Sequence, residues 1–443
     1  MVSKADIATQ DRSTTPLRVA MAALVGTTIE WYDYFLYATA AALVFGKVFF
    51  PTFDPVTGTL AAFATYGVGF LARPLGGVVF GHLGDRIGRK KSLVASLLIM
   101  GVGTFLIGLL PGYATIGVLA PVLLVVLRFI QGVAVGGEWG GAVLIAVEHA
   151  PKDKQTFYGA FAQLGSPVGL LLSTLMLTLF AGLPEDQFLS WGWRIPFLFS
   201  ALLVVVGLVI RLRISESPEF VKAQGQATAD EGLPIVETLR TAWRQVLLGI
   251  CAIIVSIGGF YIVNTFMLAY VTTQLDVPMS TALTGQTIVA VVEGVTLLYF
   301  ARLGDRVGRR KVAVAGALFT ALWALPMFAL VNTANTAAIW IGMSVGILGI
   351  TAVYAVVAAM VARLFDVRTR YTGISLAYQL SALVGGGLAP LLATYLLGRY
   401  DGSSMPAALL LIAMSLVTAL GAWLAKGDQG ASGPAEKVGG AST

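Results

Sequence analysis

The chain has 443 residues, of which 57% are hydrophobic and only 12% charged, with a mean hydropathy of +0.83 and a formal net charge of +6. A soluble domain carries roughly 25% charged residues, so composition excludes a soluble globular fold and points to a chain that crosses a membrane many times. The one cysteine, Cys251, excludes an internal disulfide and a multi-cysteine metal site and is expected to pack as a small apolar side chain.

The first 17 residues are polar and mixed in charge, so no cleaved signal peptide is expected and the first span anchors the chain. Apolar runs of roughly 20 residues, bounded by Lys/Arg, Pro or Gly, predict membrane-spanning helices. They fall near 19–49, 60–80, 92–110, 117–147, 156–181 and 191–212. A polar stretch over 214–243 separates these from six more, near 246–273, 281–301, 312–331, 336–362, 371–397 and 405–425. The predicted fold is an all-α membrane protein of twelve transmembrane helices in two pseudo-symmetric six-helix bundles, over 1–213 and 244–425. A cytoplasmic loop over 214–243 joins the bundles, and a Gly/Ala/Ser-rich cytoplasmic tail over 426–443 is expected to be disordered. Of the 29 Lys and Arg residues, 24 fall on one side of this arrangement. The positive-inside bias therefore places both termini in the cytoplasm, and the basic excess faces anionic lipid rather than nucleic acid.

One charged phrase is spelled twice. Gly81–Lys91 reads GHLGDRIGRKK and Ala301–Lys311 reads ARLGDRVGRRK, each between the second and third span of its half. A duplicated six-span unit matches the parallel repeats of transporter folds. Stopping translocation by charge accounts for the Arg and Lys, but not for Gly84, Asp85 and Gly88 or Gly304, Asp305 and Gly308. Glycine permits a tight turn between helices, and an acid near a helix start caps orphan amides or pairs with arginine. Asp85, Arg86, Arg89, Asp305, Arg306 and Arg309 are thus candidates for a gating latch that breaks when the halves rock apart.

Ionisable residues inside the spans point to mechanism. A central acid or base costs about 2.5–3.5 kcal/mol on insertion scales, so it faces the bundle interior with a partner. In the first half these are Glu30, Asp33, Arg73, Arg128 and Glu138; in the second, Glu293 stands alone. Glu30, Asp33 and Tyr37 share a face of span 1, and Arg128, Gln131, Val135 and Glu138 line one side of span 4. Depth suggests Asp33 with Arg128 near the middle and Glu138 with Arg73 lower down. Each pair is either a proton-coupling device or a static ion pair. Glu293 either serves a proton, a cationic group or a hydroxyl of the solute, or bonds a nearby span. Pocket candidates are Arg128, as an anion anchor, with Tyr34, Tyr37, Gln131, Gln163, Tyr261, Asn264, Glu293, Tyr354, Tyr378 and Gln379. Gly165–Pro167 and Gly385–Gly387 either bend spans 5 and 11 or let helices pack closely.

The duplicated phrase resembles the loop signature of the major facilitator superfamily, and the likeness covers essentially the whole chain. The first half resembles the metabolite:proton symporter family in IEWYDYFLY (Ile29–Tyr37), FLARPLGG (Phe70–Gly77), RFIQGVAVGGEWGG (Arg128–Gly141) and LSWGWRIPFLFS (Leu189–Ser200). Members of that family carry shikimate, α-ketoglutarate, citrate or proline/betaine. Thr59–Gly84 and the WGWRIPF phrase look most like the shikimate and organic-acid branch. The second copy of the signature departs from the first, opening with Ala301–Arg302 in place of Gly81–His82. The resemblance implies symport of a small organic acid, such as shikimate or a di- or tricarboxylate, with protons by alternating access across the cell membrane; a monomer without cofactor is expected. It also implies roles for Asp33, for the Arg128 motif, and for the latch residues Asp85, Arg89, Asp305 and Arg309.

Other classes fit less well. There is no HExxH, no G-x-S-x-G, and no histidine pair at metal spacing, the two histidines being His82 and His149, so neither an enzyme nor a metal site is expected. A channel, an uncoupled facilitator or exchanger, and a proline/betaine-type symporter stand as alternatives.

Overall fold

The computed structural model describes residues 16–87, 89–136, 150–212, 240–365 and 370–425, together with 138, 146 and 238. Among them every regular element is helical. In the first half, α1 runs over Pro16–Ala40, a π turn at Ala41–Phe45 and Gly46–Phe49. It is followed by α2 (Pro55–Ile87), α3 (Arg89–Leu109), α4 (Leu119–Val135), α5 (Gln155–Ala181) and α6 (Arg194–Leu212). In the second half, α7 covers Trp243–Tyr261, a π turn at Ile262–Phe266 and Met267–Thr273. Then come α8 (Met279–Val307), α9 (Arg309–Val331) and α10 (Thr336–Val361). Last are α11 (Arg370–Ala382, a π turn at Leu383–Leu388, Ala389–Arg399) and α12 (Met405–Leu424).

Among the described residues nine helices are long and apolar enough to cross a membrane, and α3 and α4 contribute shorter apolar segments. The surface is inverted relative to a soluble protein. Leu71, Leu179, Val295 and Leu322 are more than 60% exposed, whereas Glu30, Asp33, Arg73, Arg128 and Glu293 are buried. Only a hydrocarbon solvent makes that arrangement favourable.

The helices follow the predicted spans, with one systematic difference. Where the apolar runs stop at residues 80 and 301, α2 and α8 continue to Ile87 and Val307, and α3 and α9 begin two residues later. Charged residues keep their helical backbone bonds outside the hydrocarbon, so the charged phrase extends the helices instead of forming a long loop. In the second copy the turn is a single glycine, Gly308, at φ 103°, a conformation that side-chain-bearing residues avoid. The later part of the fourth span, most of the inter-bundle loop and the tail over 426–443 lie outside the described residues.

Within the first six helices α1 packs on α5, α2 on α4, and α3 on α6. Within the last six, α8 and α9 pack on α10, and α7 and α9 on α12. Across the two sets α5 meets α8 and α10, and α2 meets α11. The α2–α4 crossing is made by glycines: a methyl group on Gly132 would strike the Gly69 carbonyl, and one on Gly136 the Arg73 carbonyl. Backbones that touch carry Arg73 and Arg128 into the same part of the interior. The predicted helix breakers are also packing sites. Gly165 and Gly169 receive Thr27 and Trp31 of α1, while Gly386 and Gly387, in the π turn of α11, lie against Phe70 of α2.

Candidate functional site

The centre of the interior is a stack of rings and guanidinium groups. Tyr34 of α1 has the Arg73 guanidinium 4.1 Å and the Arg128 guanidinium 4.0 Å from its ring centroid. Arg128 also lies over Tyr37 at 4.3 Å and Tyr66 at 4.9 Å, and Arg73 over Phe70 at 4.4 Å. Cation–π contacts away from water are worth about 2 kcal/mol or more each, enough to offset much of the cost of placing these cations at depth. Gly69 provides the slot, since a Cβ there would lie 2.8 Å from Arg128 Nε.

Polar neighbours hold the rest of the cluster. Arg128 Nη1 donates to Gln131 Oε1 (3.3 Å), and Gln131 Nε2 donates to Thr104 Oγ1 (2.7 Å) and the Met100 carbonyl (3.3 Å). Arg73 Nε donates to the Tyr34 hydroxyl at 3.1 Å. Tyr37 Oη and Thr65 Oγ1 are hydrogen-bonded at 2.7 Å.

The predicted Asp33–Arg128 ion pair does not form as expected. Neither carboxylate oxygen of Asp33 has a hydrogen-bond partner, and Arg128 Nε and Nη2 have none. Thr104, Arg128 and Glu30 nevertheless face Asp33, so acid and arginine share one interior without contact. The reason is geometric: three rings and Gln131 already occupy the guanidinium's faces and one edge. Glu138 accepts from Ser96 Oγ at 3.1 Å, and Glu30 faces Arg73.

Tyr261, Tyr354 and Tyr378 of the second half close on this cluster. Glu30 and Arg73 face Tyr378, and Tyr261 packs on Tyr66 and Phe70 with centroids 5.9 and 5.6 Å apart. Glu293 on α8 is buried beside Tyr354, and its Oε2 has no hydrogen-bond partner. Four side-chain amides are buried in the interior as well. Gln163 Nε2 donates to the Tyr354 carbonyl (2.7 Å) and Gln379 Nε2 to the Gly136 carbonyl (2.9 Å). Gln286 Nε2 donates to the Asn264 carbonyl (3.1 Å) and Asn264 Nδ2 to the Phe260 carbonyl (3.2 Å). A backbone carbonyl can only accept, so each amide nitrogen is committed and each amide oxygen is left over. All four oxygens are buried without a partner.

Sequence reasoning missed Tyr66, Phe70, Thr104 and Gln286. Tyr66, Phe70 and Arg73 follow a 4-3 spacing on one face of α2, a signal that could have found the first two.

The second copy of the charged phrase forms a bridge between halves. Asp305 accepts from the backbone amides of Thr156 (3.2 Å) and Phe157 (3.0 Å), orphan donors in the first turn of α5. Arg309 lies 3.6 Å from Asp305 and donates through Nε to Thr156 Oγ1 at 2.7 Å. Arg306 is exposed. Asp85, Arg86 and Arg89 occupy helical positions in the first copy, and their side chains lie outside the described residues.

At the opposite ends of the helices, Lys47 Nζ bonds Glu185 at 2.6 Å, and this cation holds the Glu185 carboxyl below the usual carboxylate range. Asp54 is likewise held low by the Thr57 hydroxyl and amide. Arg194 in the WGWRIPF phrase donates to the carbonyls of Gly108 and Leu110, closing the end of α3. An apolar groove of about 440 Å³ between α2 and α4 is lined by Phe50, Ala64, Val68 and Val125, with Thr65 on its wall.

Twelve helices packed as two sets of six around buried charges and amides define a secondary transporter of the major facilitator class. Residues 19–429 match the sugar (and other) transporter family, and the chain belongs to it. It is 43% identical to the shikimate transporter of Escherichia coli, over 93% of this chain and 95% of that one. It is 40% identical to the inner membrane metabolite transport protein YhjE of the same organism (86% and 88% covered). Identity to the proline/betaine transporter of Salmonella typhimurium is 35% (88% and 80% covered). Among solved structures, the xylose transporter XylE from E. coli in a partially occluded inward-open conformation superposes with a TM-score of 0.69 at 18% identity, covering 94% and 98%. The protein is thus a multi-pass membrane transporter and not an enzyme, and its likeness to major facilitator metabolite symporters extends over nearly its full length.

Proposed function

We propose that the protein imports a small hydroxylated carboxylic acid together with protons, by alternating access between the two six-helix halves, working as a monomer in the cell membrane. The two halves would be 1–213 and 244–425, with both termini and both charged phrases in the cytoplasm, as the distribution of Lys and Arg favours. The observation that carries the reading is the pair of buried arginines with unpartnered N–H groups, at Arg73 Nη2 and at Arg128 Nε and Nη2, in the interior that also holds the unpartnered Asp33 carboxylate.

The arginines bind the solute's carboxylate, Arg128 through its free edge. Asp33 carries the proton. While protonated it leaves Arg128 to the solute; after releasing the proton it competes for the same guanidinium and weakens the solute's hold. Glu30, facing Arg73, tunes the second cation. Across the site, the oxygens of Gln163, Asn264, Gln286, Gln379 and Glu293 are acceptors, suited to hydroxyl groups. A second ionised carboxylate brings no donor to these oxygens. The relatives named for proline and betaine raise an osmolyte reading, but the ring faces that would cradle a quaternary ammonium are taken by Arg73 and Arg128.

The test is purified protein in liposomes that enclose a pH dye, with shikimate, citrate, α-ketoglutarate, proline and glycine betaine supplied outside in turn. Internal acidification driven by shikimate alone, and absent in Asp33→Asn, is the expected result. Radiolabelled uptake without acidification would turn the reading to facilitation or exchange, and flux of betaine alone would turn it to an osmolyte carrier.

A further inference from the structure

Two of the cross-half hydrogen bonds are related by the internal repeat. Gln163 lies on the fifth helix of the first half and donates to the Tyr354 carbonyl on the fourth helix of the second. Gln379 lies on the fifth helix of the second half and donates to the Gly136 carbonyl at the end of the fourth helix of the first. The depths agree as well. Gln163 is eight residues into α5 and Gln379 nine into α11, about 12 and 14 Å from the ends that share the side of the charged phrases. Both glutamines are 1% exposed, and both keep an unpartnered amide oxygen. A single such bond is ordinary helix packing. Two that obey the same exchange of helices, at matching depth, between the two bodies that must separate, are a matched pair.

We propose that Gln163 and Gln379 are twin bolts that hold the cytoplasmic half of the path shut, and that both bonds break when the path opens inward. Each amide nitrogen grips the opposite half while its oxygen takes a hydroxyl of the solute, so an occupied site favours the bolted state. The two bonds as bolts stand on the transporter class alone; the solute's share in closing them rests on the hydroxylated acid proposed above.

The experiment reads distances in the full-length protein without solute. In a Cys251→Ser background, spin labels replace the exposed Lys91 and Lys311, which occupy equivalent places in the two copies of the charged phrase. Gln163→Met and Gln379→Met keep chain length and lose the donor. Ser381→Ala is the control, because Ser381 Oγ bonds the Ile250 carbonyl within one half. Loss of one bolt is expected to raise the ratio of long to short distances about fivefold, and loss of both about 25-fold, if each bond has the typical net strength of a buried hydrogen bond. The control should leave the distances unchanged. An unaltered distribution in both single variants overturns the proposal, whether solute affinity or melting temperature falls or not. Equal widening in Ser381→Ala also overturns it, because the effect would then be general loosening.

Discussion

The interiors of the two halves share one fold but not one chemistry. The first holds Glu30, Asp33, Arg73 and Arg128 around Tyr34, with charges of both signs and ring faces between them. Among the described residues the second buries one acid, Glu293, and meets the first mainly with amides and tyrosines. A duplicated scaffold therefore does not require duplicated work. Charge handling is concentrated in one half, where each ion has others to balance it. In the proposed cycle the other half reads shape and hydroxyl groups at small electrostatic cost.

The sharpest way to break this division is Asp33→Asn. Proton-driven accumulation in liposomes should fall to the background of protein-free vesicles, while exchange of labelled for unlabelled solute persists. Accumulation that survives would move the proton to another acid and dissolve the contrast. Next, Arg128→Lys keeps the charge but loses the planar stacks on Tyr34, Tyr37 and Tyr66, so solute affinity should drop about tenfold or more by calorimetry. Gly69→Ala should approach the same loss through the slot alone, since its methyl meets Arg128 Nε at 2.8 Å. In the second half the expected effects are smaller. Glu293→Gln should raise the KM for a hydroxylated acid about fivefold, the worth of one hydrogen bond, and leave the ratio of protons to solute unchanged; a changed ratio would make Glu293 a proton site.

The smallest effect is expected outside the membrane. Glu185 is held below its usual range by Lys47, so any stabilisation from this pair is present above the unfolded value and is lost as pH falls through the lowered one. Both side chains are largely exposed, and water screens them. Melting of Glu185→Gln should match the parent at pH 7 as well as at pH 3; a clear difference at pH 7 would mark this pair as a structural tie between α1 and the Glu185–Gln187 turn that precedes α6.

Much of the architecture was legible because a membrane imposes simple rules. Apolar runs of spanning length placed the helices, and the twice-written phrase revealed the repeat. Burial of Glu30, Asp33, Arg73, Arg128 and Glu293 followed from the cost of charge in hydrocarbon. What escaped was azimuth. Counting residues put Asp33 and Arg128 at similar depth, but not the three rings that turn the guanidinium aside. The role of Asp305 was half visible. Spacing suggested a cap or an arginine partner, and the structure shows both, but the capped helix is α5 of the other half, which no local pattern in residues 301–311 specifies. Gln163 and Gln379 were legible as polar groups near the cavity, yet their bonds run to backbone carbonyls, which carry no sequence signature.

The glycine crossing of α2 and α4 has a consequence for motion. Because these backbones touch at Gly69, Gly76, Gly132 and Gly136 with no side chain between them, α2 and α4 have little freedom to slide past one another. Arg73 and Arg128 are therefore fixed to each other as firmly as two fittings on one plate. If both hold the solute anion, as proposed, it would keep the same seat through the whole cycle while the walls are exchanged around it.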